Sequence, residues 1–416
     1  MSRFQIEGGR PLFGCLKVQG AKNSVLPILS AALLAEGECV IRNCPDLSDV
    51  TDTLEILRLL GCEVCREGDT LRVDTSGLRG ECVPGELMGR MRSSVVFLGP
   101  LLVRRGRACL AMPGGCELGP RPIDLHLKAL SALGAQVREE GGQVCCEAGR
   151  LCGCEICLPI PSVGATENAV LCACGCDGVT TIVGGAREPE IVDLQNFLNA
   201  MGADVSGAGE SVLTVRGGRK LHGAEYTVMG DRIAACTYLC AAAATGGRVD
   251  VTGVSPGSMG AVLEALRQAG CTVTADNEKI GLESSGSLHG LSPVRTAPFP
   301  GFPTDAQAIL MAALAGGRGC TMFVENMFES RFGHVDELRR MGADIQTSGR
   351  VAVVTGAGML RGTRVDGRDL RGTAALVVAG LAARGRTEVG GLRHLRRGYE
   401  DLAGNLRRLG GDIREV

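Results

Sequence analysis

A cysteine in an unusual loop is the most reactive candidate of this 416-residue chain. Cys116 lies in the stretch MPGGCELGPRP, residues 112–122, close to Arg121. Glycines before the cysteine permit close approach and movement of the backbone, whereas Pro120 and Pro122 restrict the backbone after it. A cationic neighbour favours the thiolate form of a cysteine. This setting indicates a reactive thiol, with simple packing as the alternative.

Basic residues stand where several apolar, helix-like segments begin. Lys22, Arg92 and Arg371 hold such positions. A cation there opposes the helix dipole unless an anion is also present, and the free N–H groups at that end already favour anions. Equivalent positions in several segments therefore favour a site for a strongly anionic ligand over separate surface charges. The other polar residues at these starts are Asn23, Thr166, Arg232 and Asp305.

Two further candidates have an ordinary explanation as well as a chemical one. Asp305, in FPTDAQ, is either a helix-capping acid or an ionised carboxylate that acts as a general base. Arg396 and Arg397, in LRRGYE, are either a surface pair or part of the anion site.

The other cysteines predict packing rather than metal binding or disulfides. The chain contains 20 cysteines, and LGCEV and AGCTV place one where LGAQV has alanine, so they behave as small hydrophobic residues. Six of them fall between positions 152 and 176 with mostly alternate, strand-like spacing and no histidine, which argues against zinc. We expect no metal ion and no cofactor.

The elements that position these residues repeat along the chain. A short signature recurs around Gly61, Gly134, Gly202, Gly270, Gly342 and Gly410, at intervals of 73, 68, 68, 72 and 68 residues by subtraction. An amphipathic helix precedes each glycine, which fits a left-handed C-terminal cap, and strands follow it. A more buried helix and a strand open each copy, so the unit is helix, strand, helix, strand, strand. This pattern predicts an α/β fold of six repeats.

The last copy lacks its closing strands, and the N-terminal segment RFQIEGGRPLFGCLKV is predicted to supply them. Three repeats per domain then give one domain of residues 22–229 and another of 1–21 plus 230–416. A cleft between two such halves is the default place for a ligand.

Composition excludes other classes of protein. The formal net charge of −2 offers no basic surface for nucleic acid or an anionic membrane. The longest apolar stretches, such as AALVVAGLAA, are too short to span a bilayer, and the N-terminus lacks a secretory signal. We expect a cytoplasmic protein that binds neither nucleic acid nor membrane.

The assembled motifs resemble the UDP-N-acetylglucosamine enolpyruvyl transferases, within the EPSP synthase family, over essentially the whole chain. They are GAKNSVLPIL, MRSS, PGGCELGPRPIDLH, PSVGAT, AREPEIVDL, FPTDAQ, FESRFGHVDEL, DLRGTAALV and RRGYEDL. The resemblance implies two domains of three βαβαββ units each, packed as an inside-out α/β barrel, with the active site in the cleft. It also implies a monomer with two small-molecule substrates, phosphoenolpyruvate and UDP-N-acetylglucosamine.

The implied reaction moves the enolpyruvyl group to the sugar 3′-hydroxyl by addition and elimination and releases phosphate, the first committed step of peptidoglycan synthesis. By this resemblance Asp305 takes the hydroxyl proton, and Cys116 protonates C3, can hold a phosphoenolpyruvate adduct and is the target of fosfomycin. The glycine-rich stretch around Cys116 is implied to be a lid. The residues implied to bind the anionic substrate are Lys22, Arg92, Arg121 and Arg397.

The same resemblance implies the sugar-nucleotide contacts. These residues are Asn23, Arg121, Pro122, Ile123, Asp124, Leu125, Pro161, Ser162, Val163 and Met327, with Arg371 and Asp369 as support. Arg396 departs from the family, in which an acid is common at that position, and places a second positive charge beside Arg397.

Two alternatives remain from the sequence. An enolpyruvylshikimate phosphate synthase shares the fold and chemistry, but its pattern lacks the cysteine loop. A non-catalytic paralogue that binds a sugar nucleotide is disfavoured because Lys22, Cys116, Asp305 and Arg397 are all present.

Overall fold

The computed structural model describes residues 2–111 and 122–416. Its α-helices are α1 (Lys22–Ala31), α2 (Ser48–Leu59), α3 (Gly85–Arg90), α4 (Leu98–Arg105), α5 (Asp124–Ala132), α6 (Val163–Ala173), α7 (Pro189–Ala200), α8 (Arg232–Thr245), α9 (Gly260–Gln268), α10 (Thr304–Ala315), α11 (Val335–Arg340), α12 (Leu370–Ala382), α13 (Leu392–Leu395) and α14 (Leu402–Arg408). Short 3-10 turns add to these, among them Arg92–Phe97 ahead of α4.

The strands alternate with these helices along the chain. They are β1 (Phe4–Glu7), β2 (Leu12–Lys17), β3 (Ala35–Glu36), β4 (Glu38–Arg42), β5 (Glu63–Glu67), β6 (Thr70–Asp74), β7 (Cys82–Val83), β8 (Arg107–Ala111), β9 (Gln136–Glu140), β10 (Gln143–Glu147), β11 (Glu155–Cys157), β12 (Val179–Val183), β13 (Val205–Ser206), β14 (Val212–Arg216), β15 (Leu221–His222), β16 (Glu225–Thr227), β17 (Gly247–Thr252), β18 (Thr272–Asp276), β19 (Lys279–Ser284), β20 (Val294–Arg295), β21 (Cys320–Val324), β22 (Asp344–Ser348), β23 (Val351–Thr355), β24 (Arg364–Asp366), β25 (Arg386–Gly390) and β26 (Asp412–Glu415).

Four-stranded sheets of one design form the framework. In each sheet the first edge strand runs parallel to its neighbour, and each of the next two strands pairs antiparallel with the strand before it. The sheets are β16-β4-β6-β5, β7-β8-β10-β9, β11-β12-β14-β13, β2-β17-β19-β18, β20-β21-β23-β22 and β24-β25-β1-β26. This recurrence confirms the predicted six-repeat α/β fold.

The N-terminal segment closes the last sheet, as predicted, but only its first strand does so, and its second strand joins a different sheet. Strand β1 pairs antiparallel with both β25 and β26, where Ile6 faces Thr387 and Ile413. Strand β2 pairs parallel with β17, where Leu16 faces Val251. Strand β1 thus completes the sheet of β24, β25 and β26, and β2 supplies the parallel edge strand of the sheet of β17, β19 and β18.

The signature glycines end the amphipathic helices in left-handed backbone. Their φ angles lie between 92° and 108° at Gly61, Gly134, Gly202, Gly270, Gly342 and Gly410. Residues with a side chain rarely adopt this conformation, so glycine is the favoured residue for the turn into the next strand. The periodic glycines therefore follow from a turn that every repeat needs.

The chain divides into two compact units, each with its own core. We call residues 20–111 and 122–229 the first unit, and residues 2–19 and 230–416 the second unit. The second unit is built around three buried helices, α8, α10 and α12, which pack against one another. In the first unit, α1, α4 and α6 contribute to a corresponding core.

Among the cysteines that the structure describes, one pair departs from the packing prediction. Cys109 on β8 and Cys145 on β10 face each other in the ladder and form a disulfide, with their Cα atoms 4.2 Å apart. The pattern around each cysteine could not show this, because it depends on strand register. Most others are buried thiols, including Cys172 and Cys176, which lie on α6 and just after it rather than on a strand.

None of the helices in the described ranges has both the length and the apolar character that a membrane crossing requires.

Candidate active site

The first helix of the first unit begins with a buried cation and an exposed amide. Lys22 opens α1, and its Nζ lies 2.6 Å from Oδ2 of Asp49 in the first turn of α2. The carboxylate helps to offset the cost of burying a lysine at the positive end of a helix. The next residue, Asn23, is exposed. The sequence predicted an anionic ligand at this helix start, and the carboxylate of Asp49 supplies part of that negative charge.

Arg92 contacts the segment predicted to bind the sugar nucleotide. Its Nη2 donates to the carbonyl of Pro122 at 3.2 Å. Arg92 begins a 3-10 turn instead of the α-helix predicted there. Val95 and Val96 are poor helix formers, and the Ser94 hydroxyl donates a hydrogen bond to the Met91 carbonyl.

Helix α6 begins beside the same segment. Ser162 caps it, its hydroxyl oxygen accepting from the Ala165 N–H, so the helix starts ahead of Thr166, which was predicted to open it. The side chain of His126, in the first turn of α5, is buried, and its Nδ1 lies 2.9 Å from Nδ2 of Asn168 in α6. This contact sets Pro122, Ile123, Asp124 and Leu125 near Pro161, Ser162 and Val163. The free N–H groups of α6 suit an anionic group.

In the second unit, Asp305 is held by two arginines. Its Oδ1 accepts from Nη2 of Arg331 at 2.7 Å, and its Oδ2 accepts from Nε and Nη2 of Arg371 at 3.1 and 3.0 Å. Both arginine side chains are 3% exposed, whereas that of Asp305 is 29% exposed. Two guanidinium groups favour the ionised carboxylate, the form that a general base requires.

The surroundings of Arg371 fix its orientation. Asp369 caps α12 by accepting from the N–H groups of Arg371 and Gly372. Nη1 of Arg371 donates to the Tyr399 hydroxyl at 3.4 Å, and its guanidinium carbon lies 5.7 Å from the ring centre. Burial alone would lower the pKa of Arg371, but the charge of Asp305 raises it above its ordinary value. Arg371 is therefore a fixed cation aimed at Asp305.

A buried glutamate orders the loop that carries Met327. Oε1 of Glu325 accepts from the N–H groups of Met327 and Phe328, at 2.8 and 3.1 Å. Its Oε2 accepts from the hydroxyl of Thr304, the first residue of α10, at 2.9 Å. One carboxylate thus ties the Met327 loop to the helix start that presents Asp305.

Arg396 and Arg397 are adjacent in the sequence but have different surroundings. Arg396 is exposed and pairs with Glu415 at 2.7 Å. Arg397 is half-buried and lies two residues before Tyr399, which contacts Arg371. The extra charge at Arg396 is therefore bound by the end of the chain rather than added to the charge of Arg397.

Several of these partners carried no signal in the sequence. Asp49, His126, Glu325 and Tyr399 were not predicted, because their roles depend on distant contacts. Arg331 lies in the conspicuous stretch FESRFGHVDEL, but nothing in that stretch shows that it contacts Asp305. Cys116 and Arg121, both predicted site residues, lie outside the described residues.

Two buried titratable groups accompany the site residues. Burial, reinforced by the charges of Glu190 and Glu188, raises the pKa of Glu167 in α6 to about 8. Burial lowers the pKa of His334 to about 4. Both groups are therefore mainly neutral near pH 7.

Comparison with known proteins agrees with this architecture. Residues 6–406 match the EPSP synthase (3-phosphoshikimate 1-carboxyvinyltransferase) family. The UDP-N-acetylglucosamine 1-carboxyvinyltransferase 2 of Caldanaerobacter subterraneus subsp. tengcongensis is 45% identical over 413 residues, which cover 99% of each chain.

Solved structures support the fold. The enolpyruvyl transferase NikO from Streptomyces tendae has a TM-score of 0.88 and 29% identity, covering 100% of this chain and 99% of its own. An EPSP synthase from Acinetobacter baumannii has a TM-score of 0.76 at 22% identity over 100% of both chains, which bears on the fold alone. The predicted two-domain α/β fold is confirmed, and the chain belongs to the EPSP synthase family.

Proposed function

We propose that this protein transfers the enolpyruvyl group of phosphoenolpyruvate to the 3′-hydroxyl of UDP-N-acetylglucosamine, with release of phosphate. The observation that carries the proposal is the 45% identity, over 99% of both chains, to a relative named for that activity. The cysteine-bearing stretch PGGCELGPRPIDLH favours this acceptor over shikimate phosphate. The reaction is the committed step of peptidoglycan synthesis, and we propose that the protein performs it in the cytoplasm as a monomer.

Cations bind the doubly anionic substrate in this proposal. Lys22, Arg92 and Arg121 of the N-terminal half and Arg397 of the C-terminal half neutralise the carboxylate and phosphate of phosphoenolpyruvate. Charge-assisted bonds to such groups are among the strongest that a protein makes. The neighbouring Asp49 holds Lys22 in place at 2.6 Å.

The sugar nucleotide binds along the segments that His126 and Asn168 bring together. Its diphosphate suits the N-terminus of α6 at Ser162 and Val163, and Pro122 to Leu125 line the nucleotide. Asn23 and Met327 contact the remainder of this substrate.

The chemistry is one addition followed by one elimination. The oxygen of the sugar 3′-hydroxyl attacks C2 of phosphoenolpyruvate, and Asp305 accepts the proton of that hydroxyl. Cys116 delivers a proton to C3 of phosphoenolpyruvate in the same step. The tetrahedral intermediate carries the phosphate on C2. Loss of a C3 proton then expels phosphate and restores the double bond, so the products are the enolpyruvyl ether and inorganic phosphate. Arg331 and Arg371 keep Asp305 ionised and oriented for the first step.

Phosphate release tests the proposal directly. The full chain is incubated with phosphoenolpyruvate and, in separate reactions, UDP-N-acetylglucosamine or shikimate 3-phosphate. We expect phosphate only with the UDP-sugar, together with an enolpyruvyl ether detected by mass spectrometry. Release only with shikimate phosphate would establish the EPSP synthase alternative, and binding of the UDP-sugar without release would establish the non-catalytic one.

A further inference from the structure

A row of cysteines crosses one sheet of the first unit. In β7-β8-β10-β9, Cys82 lies opposite Cys109 in a parallel pair, and Cys109 lies opposite Cys145 in an antiparallel pair. The next strand places Arg138 opposite Cys145. Residues that face each other on neighbouring strands point to the same side of a sheet. The three sulfurs and the guanidinium therefore share one face.

That face is the outer one. The neighbours in sequence, Val83, Leu110 and Val144, belong to the hydrophobic core of the first unit, and side chains alternate along a strand. Cys82 is exposed, whereas Cys109 is 3% exposed and Cys145 is half-buried. An external reagent thus reaches Cys82 more readily than the central sulfur.

The order of the row suits displacement at Cys109. Its disulfide runs toward Cys145 on one neighbouring strand, and the free thiol of Cys82 stands on the opposite neighbouring strand. A thiolate displaces the leaving sulfur along the line of the bond that breaks. Cys82 is placed on the side from which such an attack at Cys109 starts, and Cys145 is placed on the leaving side.

We propose that Cys82, Cys109 and Cys145 form a thiol–disulfide exchange site for low-molecular-weight thiols. The Cys82 thiolate attacks Sγ of Cys109, a Cys82–Cys109 bond forms, and the bond to Cys145 breaks. Cys145 leaves as a thiolate beside Arg138 and is protonated by solvent, which replaces the proton that Cys82 lost. The number of disulfides among these three cysteines stays the same, so the step consumes no oxidant or reductant.

The exchange moves the disulfide from a shielded pair to one that includes an exposed sulfur. A thiol of the glutathione class can then attack Cys82, giving a mixed disulfide on Cys82 and a free thiol on Cys109. A second molecule of that thiol releases Cys82 as the oxidised glutathione dimer forms. Cys82 is therefore the entry point for reduction, even though it is free in the structure.

The chain supplies a matched control in Cys157. It is exposed and free on β11, the edge strand of the next repeat, which corresponds to β7 in its sheet. Its partner across the strand pair is Val183, which has no sulfur. Cys157→Ser removes an exposed edge-strand thiol without touching the row.

The test follows reduction of the disulfide in the full-length protein. The protein is first equilibrated with oxidised glutathione, then mixed with reduced glutathione, and its thiols are trapped with acid and N-ethylmaleimide for peptide mapping. Fragment ions separate Cys109 from Cys116, which share a tryptic peptide. We expect a Cys82–Cys109 linked peptide and glutathione on Cys82. Loss of Cys109–Cys145 should slow by about tenfold or more in Cys82→Ser and stay unchanged in Cys157→Ser, since only the former loses the attacking sulfur.

Further comparisons separate exchange from structural disturbance. Alkylation of Cys82 in the native wild-type protein should slow reduction as strongly as Cys82→Ser does, without relying on the folding of a variant. Arg138→Gln should lower the fraction of Cys82–Cys109 linkage, and Arg138→Lys should restore it. Equal reduction rates in Cys82→Ser and Cys157→Ser, or the absence of a Cys82 linkage under all these conditions, would overturn the proposal.

Discussion

Arg371 donates two hydrogen bonds to one oxygen of Asp305, from Nε at 3.1 Å and from Nη2 at 3.0 Å. The helix that begins at Leu370 therefore presents its cation to the helix that begins at Thr304. The second oxygen of Asp305 is taken by Arg331. In this arrangement the arginine predicted to bind a substrate anion is paired with a carboxylate of the protein, which the proposed reaction uses as its base.

Replacement of Asp305 should separate catalysis from binding. In Asp305→Asn the amide keeps the shape of the side chain but cannot take up the hydroxyl proton, so we expect kcat to fall by about 10²-fold or more. Asp305→Ala should lower kcat at least as far. The Kd for UDP-N-acetylglucosamine, measured by calorimetry, should change by less than about threefold if the loss lies in proton transfer. Weakened binding with an intact kcat would contradict the base role.

The pairing of Asp305 with Arg371 should appear as strong coupling in a double-mutant cycle. Asp305→Asn leaves the buried guanidinium of Arg371 without its charge partner and should cost about 3 kcal/mol in the free energy of unfolding, whereas Arg371→Gln leaves Asp305 paired with Arg331 and should cost less. The double variant should cost less than their sum by about 1–3 kcal/mol. Urea unfolding of the wild type, the two single variants and the double variant measures these free energies.

The exposed pair of Arg396 and Glu415 serves as the control for this cycle. Its side chains are 62% and 42% exposed, and Arg396→Gln should change the free energy of unfolding by less than about 1 kcal/mol. Additive effects of the Asp305 and Arg371 substitutions would show that the two side chains do not act as a unit.

The sequence allowed the repeat architecture to be predicted because the same turn recurs in every copy. A helix that ends at Gly202 or Gly342 must reverse through a left-handed residue, and glycine is the residue that adopts this conformation most readily. The basic residues at helix starts were also visible, since Lys22 and Arg371 stand at positions where a cation is unfavourable without a partner.

The partners themselves could not be predicted, because long-range packing selects them. In the sequence Asp49 is an ordinary polar residue of an amphipathic helix, and only the packing of α2 places it beside Lys22. The disulfide of Cys109 and Cys145 depends on the register of two strands separated by α5 and β9, which local pattern does not fix. Local sequence thus identified the charged helix ends but not the groups that they contact.

Cys116 gives a chemical test that needs no structural detail. Cys116→Ser should abolish covalent labelling by fosfomycin, because serine is a far weaker nucleophile than a thiolate. Cys116→Asp should resist fosfomycin yet keep activity, since a carboxylic acid can still donate a proton to C3. Intact-mass spectrometry measures the labelling and phosphate release the activity. Labelling that persists in Cys116→Ser would assign the reactive thiol to another cysteine.

His334 should make the fold sensitive to acid. Its pKa is about 4 in the folded protein and 6.5 ordinarily, so the unfolded chain binds a proton first as the pH falls. Stability should therefore decline between pH 6.5 and 4, by up to about 1.4 kcal/mol for each pH unit from this group. In His334→Leu that contribution should vanish, whereas the exposed His289→Gln should behave as the wild type. Urea unfolding across the range measures it, and identical slopes in wild type and His334→Leu would contradict the prediction.

Glu167 should act in the opposite direction, at higher pH. Its pKa is about 8 in the folded protein and 4.5 ordinarily, because burial beside Glu190 and Glu188 disfavours its charge. Between those values the folded protein binds more protons than the unfolded chain, so stability should fall as the pH rises from 4.5 to 8 and then level off. In Glu167→Gln this decline should be absent, and the variant should be more stable than the wild type at pH 8. At about 1.4 kcal/mol for each pH unit, the difference in the free energy of unfolding should be several kcal/mol at most. Glu155→Gln, on an exposed strand residue, is the matched control. Parallel stability curves for wild type and Glu167→Gln between pH 5 and 8 would mean that this carboxyl group is already ionised in the folded protein.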